Sequence, residues 1–91
     1  MKLSDKVTIP APVMARQVGG ETVILDLASG TYFGLDPVGA RIWQLITEGR
    51  TLVQVCDAMI AEYEVSREVI ERDVLALVQT LLDKSLLNIC V

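Results

Sequence analysis

One junction, Asp36-Pro37, limits most strongly what this chain can fold into. Upstream of it, apolar and β-branched residues come in short runs separated by glycines. Downstream, apolar residues recur every three or four positions. The first texture is that of strands joined by tight turns, and the second is that of amphipathic helices. At the junction itself, Asp36 is a good helix N-cap and Pro37 suits the first helical position. An α+β protein follows, with its strands first and its helices after.

The strand half divides at its glycines. Val13–Val18 and Thr22–Leu27 flank Gly19-Gly20, a pair suited to the positive φ angles of a two-residue hairpin turn. Val23, Leu25 and Leu27 share one face of the second strand. Ala28-Ser29-Gly30 fits a three-residue loop with Gly30 in the left-handed region, and Thr31–Leu35 is a third strand. The prediction is a three-stranded antiparallel meander. Ahead of it, Pro10 and Pro12 keep a weakly patterned lead-in extended.

Three helices follow. The first carries Val38, Ile42, Leu45 and Ile46 and stops at Gly49. Thr51 and Gln54 form a capping box for the second, whose stripe is Leu52, Val55, Cys56, Met59 and Ile60. Ser66 caps the third, which runs to about Lys84 and carries more apolar residues than one buried face needs. The tail from Leu86 to Val91 is apolar enough to pack back. At 91 residues, the expectation is one domain over 1–91, with its core between about 13 and 89. The last helix pair with the strands beside it is winged helix-turn-helix-like.

Charge and composition narrow the function. The net charge is −4 and lies in the C-terminal half: residues 1–45 hold four basic and four acidic side chains, residues 46–91 four and eight. Neither a phosphate backbone nor an anionic membrane is a natural partner for that half. At the start of the would-be recognition helix, Arg67, Glu68, Glu71, Arg72 and Asp73 sum to −1. A DNA reader needs a basic stripe there, so a winged-helix transcriptional regulator is the alternative reading and not the preferred one. No apolar run exceeds the five residues Val74–Val78, far short of the ~18 of a membrane span. A cytoplasmic protein is the expectation, with Cys56 a buried thiol and not half of a bridge to Cys90.

Catalytic candidates are few. There is no histidine, so the commonest general base and metal ligand are both missing. A lone cysteine with no base near it in sequence is a poor nucleophile candidate. Asp26 and Asp36 read better as a strand-end residue and a helix cap than as a carboxylate pair. No glycine pattern matches a phosphate cradle. The expectation is no enzyme, no cofactor and no metal.

The run Glu21–Leu45 resembles the PqqD-like family, the recognition domains of ribosomal-peptide biosynthesis. The resemblance lies in Asp26, Ser29-Gly30, Tyr32-Phe33-Gly34-Leu35-Asp36 and the helix segment Gly39 to Trp43. It continues through Glu48-Gly49-Arg50-Thr51, Tyr63-Glu64-Val65 and Leu86-Leu87, and covers about residues 13–89. It implies a protein that binds the leader segment of a precursor peptide and presents it to a modifying enzyme. That enzyme would be a radical SAM protein, or a leader peptidase or cyclase. Pyrroloquinoline quinone, lasso-peptide and other modified-peptide pathways use such domains as peptide chaperones.

In the family the leader adds to the edge of the third strand and its side chains enter the cleft beside the third helix. By position, the resemblance implies a site of Tyr32, Phe33, Gly34 and Leu35 with Arg67, Ile70, Glu71, Val74, Leu77, Val78 and Leu81. Of these, Leu35, Val74 and Leu77 read better as core than as groove, and only one of Tyr32 and Phe33 can face the cleft because strand side chains alternate. Trp43 reads as core. Independently of the resemblance, Thr31–Leu35 is an open edge, and an open edge is a template for an added strand.

Overall fold

A computed structural model describes residues 2–90. Its main sheet is antiparallel and three-stranded, β2 (Val13–Val18), β3 (Glu21–Asp26) and β4 (Tyr32–Leu35), in the order β2-β3-β4. Gly19 and Gly20 make the first turn with φ of 59° and 88°, values an L side chain adopts at a cost. The second turn has four residues, 27–30, and is one longer than the spacing predicts. Asp26 explains the difference. Its carboxylate accepts from the Ala28 N–H at 3.0 Å and from the Ser29 hydroxyl at 2.8 Å, and its carbonyl accepts from the Gly30 N–H at 2.8 Å. These bonds wind the chain through the loop and bring Gly30 to φ 76°.

Three helices cover the inner face: α1 (Pro37–Thr47), α2 (Leu52–Glu62) and α3 (Arg67–Asp83). Each starts at its predicted cap. Asp36 accepts from the Gly39 N–H at 2.7 Å, Ser66 from the Val69 N–H, and the Thr51–Gln54 box closes in both directions. Between strands and helices lies a core that includes Ile24, Leu35, Ile42, Leu45, Leu52, Val55, Cys56, Met59, Val74, Val78 and Leu81. Cys56 is a free thiol there, and burial raises its pKa, so it stays protonated and inert. The strand face shared by Val23 and Leu25 is the outer one; Ile24 on the opposite face is fully buried, and Leu27 is exposed.

A second, two-stranded sheet was not foreseen. β1 (Lys6–Thr8) pairs antiparallel with β5 (Asn88–Cys90), Val7 lying opposite Ile89. Val7 is buried by this pairing, and Leu86 and Leu87 just ahead of β5 are buried too. The tail therefore packs back as expected, as a strand. Lys-Val-Thr has one apolar residue and no alternation to read, so its partner alone makes it a strand. The expectation for the tail includes Val91 and the Cys90 side chain, which lie outside what is described. Among the described residues no helix is long and apolar enough to cross a membrane.

Candidate functional site

Among the described residues β4 pairs only with β3, which leaves its other edge open. Its hydrogen-bonding phase follows from one bond at the strand's start. The Asp26 N–H donates to the Thr31 carbonyl at 2.8 Å, so Asp26 and Thr31 form a hydrogen-bonded pair. Such pairs alternate along an antiparallel ladder. With Leu25 opposite Tyr32, Ile24 opposite Phe33 and Val23 opposite Gly34, Phe33 and Leu35 bond inward to β3. Tyr32 and Gly34 turn their N–H and C=O outward.

Side chains follow the same alternation. Phe33 and Leu35 lie on the inner face, half-buried and buried, while Tyr32 points to the outer face and is 71% exposed. Beneath the edge runs a groove of about 340 Å³ between β4, α1 and α3. Phe33, Gly34 and Leu35 form its strand wall, Val38 and Ile42 its α1 wall, and Ala76 and Leu77 its α3 wall. Two carboxylates, Asp36 and Asp73, also line it. Near Phe33 the charge is reversed: Lys84 Nζ stands 5.7 Å from the Phe33 ring centroid, within cation–π range. Gly39 closes the floor. A Cβ there would meet Asp36 Oδ1 at 3.1 Å and Leu35 Cδ2 at 3.3 Å, so a glycine lets the α1 backbone pass close to the strand end.

The structure brings four of the eleven predicted site residues to this groove: Phe33, Gly34, Leu35 and Leu77. Ile70, Val74, Val78 and Leu81 are at most 3% exposed and belong to the core. Their spacing, i, i+4, i+8 and i+11, is the helical stripe turned into the core. The groove takes the neighbouring stripe, Asp73 and Leu77, one position earlier at each step. Arg67 and Glu71 lie away from the groove. The Arg67 guanidinium binds Asp57 of α2 and sits 3.4 Å from Glu71, so both serve the α2–α3 junction and neither lines the groove. Tyr32 is at the edge by its backbone alone.

Sequence reasoning missed Asp36, Val38, Gly39, Ile42, Asp73 and Ala76 as groove residues. The sequence carries no signal that sets Val38 apart from Ile42, Leu45 and Ile46 on the same apolar stripe; only the structure shows it 39% exposed at the groove.

Comparison with known proteins decides the family. The model of the coenzyme PQQ synthesis protein D (PqqD) family matches residues 21–87. The chain belongs to the PqqD family. Two solved structures resemble this PqqD-family chain closely. One is described as TbiB1 in complex with the TbiA(beta) leader peptide. It is 44% identical, with a TM-score of 0.81 over 87% of this chain and 92% of that one. The other is a lasso peptide synthetase B1 complexed with the leader peptide, 30% identical, with a TM-score of 0.83 over 90% and 96%. A comparison with curated proteins finds no match. At 44% identity and a TM-score of 0.81 over most of both chains, this PqqD-family member shares its overall fold with that protein.

Proposed function

We propose that this chain binds the leader segment of a ribosomally made precursor peptide as a fourth strand along β4 and presents it to a modifying enzyme. The observation that carries the reading is the outward pair of rungs at Tyr32 and Gly34 directly above an apolar groove. An extended peptide laid there gains main-chain hydrogen bonds, and every second side chain drops into the groove. Its two solved relatives, each a complex with a leader peptide, support the same ligand. The protein then acts as a binding partner without catalysis of its own. The lasso synthetase relative favours a lasso-peptide pathway, with a leader peptidase or cyclase downstream, over a quinone pathway served by a radical SAM enzyme. The DNA-binding alternative loses its first basic side chain on α3, because Arg67 is engaged by Asp57 and Glu71.

The test uses fluorescently labelled TbiA(beta) leader peptide, read by anisotropy at low and high salt, with amide NMR shifts of the labelled protein. The expected result is saturable binding with a shallow salt slope and the largest shifts at Tyr32 and Gly34. Phosphate contacts would instead give a steep slope. No binding of this or any lasso leader, or shifts that avoid β4, would overturn the reading.

A further inference from the structure

The other edge of the sheet has the same backbone offer and a different lining. The Leu27 N–H donates to the Pro12 carbonyl at 3.0 Å. Alternation from that pair sends the N–H groups of Met14, Arg16 and Val18 inward to β3 and those of Val13, Ala15 and Gln17 outward. Val13 is already satisfied by the Pro10 carbonyl at 3.0 Å. Ala15 and Gln17 are left as two free rungs, the same number that β4 offers at Tyr32 and Gly34.

Beneath this edge lies a cleft of about 570 Å³ between the β2–β3 hairpin and α1, larger than the β4 groove. Ala40 and Trp43 give it an apolar floor, and Gln17, Gln44 and Tyr63 give it polar walls. Its charged lining residues are Arg41 and, at the strand edge, Arg16, whose side chain alternates to the outer face with Val23; no carboxylate is among them. Arg41 is held in place: Nε and Nη2 bind Glu62 at 2.7 and 2.6 Å, and Nη1 binds Gln44 at 3.0 Å. Among the described residues Arg16 has no ion-pair partner.

We propose that the β2 edge is a second strand-addition site, which takes an extended segment of a partner protein with alternating apolar and acidic residues. A strand added beside β2 sends alternate side chains to opposite faces. Those on the inner face enter the cleft over Trp43 and must be apolar to bury there. Those on the outer face stand beside Arg16, the free cation on that edge, where a carboxylate makes the favourable cross-strand pair. The β4 groove has two carboxylates in its lining, so one acidic segment does not suit both edges. A second copy of this chain is a poorer occupant, since antiparallel β2–β2 pairing brings two Arg16 side chains to the same seam with no carboxylate from either strand between them.

The experiment pans a phage library of random dodecapeptides against the intact protein and sorts the clones with three variants. Gln17→Pro removes an outward N–H of β2, Arg16→Glu reverses the cation, and Gly34→Pro removes an outward N–H of β4. The expected result is a class of clones with alternating acidic and apolar residues that bind Gly34→Pro like wild type. These clones lose tenfold or more on Gln17→Pro and on Arg16→Glu, and shift the fluorescence of Trp43, the sole tryptophan. If Gln17→Pro fails to fold, Arg16→Glu alone makes the same discrimination. The proposal is overturned if no such class appears, or if every clone is lost on Gly34→Pro and kept on Arg16→Glu, which would place all binding at β4. A dimer by sedimentation that Arg16→Glu leaves intact and Gln17→Pro abolishes would also overturn it, by giving the edge to a second copy. Loss of leader binding at β4 leaves these outcomes unchanged, so the two sites fail separately.

Discussion

The two edges of the three-stranded sheet present nearly the same backbone to solvent, and each has a cavity beneath it. They differ in what lies below. Under β4 the α1 and α3 walls contribute Val38, Ile42, Ala76 and Leu77, with Asp36 and Asp73. Under β2 the lining is Trp43, Gln44 and Tyr63, with Arg16 and Arg41. The ladder decides that a strand can add, and the helix laid beneath decides which strand. A three-stranded sheet with helices on one face can therefore discriminate between ligands without any change in its own hydrogen bonding.

The sharpest way to break the comparison is to separate groove from core on α3. Leu81→Asp places an unpaired carboxylate among fully buried neighbours and is expected to cost about 3–5 kcal/mol of stability, or the fold itself. Leu77→Asp, on the half-exposed stripe, should leave the melting transition near wild type and weaken leader binding by about 1–3 kcal/mol. Circular dichroism melts with anisotropy titrations check both. A Leu81→Asp protein that melts normally and loses only binding would move the groove onto the inner stripe.

Rung phase gives the next contrast. Phe33→Pro removes an inward N–H and half-buried packing, and should destabilise by about 3 kcal/mol. Gly34→Pro removes an outward N–H at a position where an added Cβ meets nothing within 4 Å. It should leave the fold intact and reduce leader affinity by about 0.5–1.5 kcal/mol. If Gly34→Pro is the one that unfolds, the phase drawn from the Asp26–Thr31 pair is wrong for the β4 edge.

The smallest expected effect concerns the hairpin between β3 and β4. The hydrogen bond from Ser29 and the N–H of Ala28 hold the Asp26 carboxyl below the ordinary range of 3.8. A carboxyl depressed in the folded state contributes stability that is complete above the unfolded pKa and is lost as pH falls through the folded one. Melting temperature should therefore drop below about pH 4, and Asp26→Asn should flatten that part of the profile. An unchanged profile in the variant would assign the acid sensitivity elsewhere.

Much of this architecture was legible because it rests on local chemistry. Asp36-Pro37, Thr51 with Gln54, Ser66 and the paired glycines each fix a boundary through bonds a few residues long, and all of those boundaries stand. What was hidden depends on partners far along the chain. Lys6–Thr8 has no pattern of its own and becomes a strand only against Asn88–Cys90. The groove suffered in the same way. A stripe of Val69, Ile70, Val74, Leu77, Val78 and Leu81 tells of two adjacent faces, but not where one gives way to the other. That line is drawn by the core packed against α3, α2 above all, which buries Ile70, Val74, Val78 and Leu81 and leaves Leu77 at the rim.

The pairing of Lys6 with Cys90 joins residues 84 positions apart, whereas the β2–β3 turn joins neighbours. The meander closes through turns a few residues long, whereas β1 has no strand to pair with until β5 is brought to it from the far end of the described chain. Val7 thus depends for its cover on a contact that closes nearly the whole described chain into one loop, the kind of contact whose entropy cost makes it slow to form. The same clasp should be the first unit to open in hydrogen exchange, with Lys6–Thr8 amides exchanging ahead of those in β3.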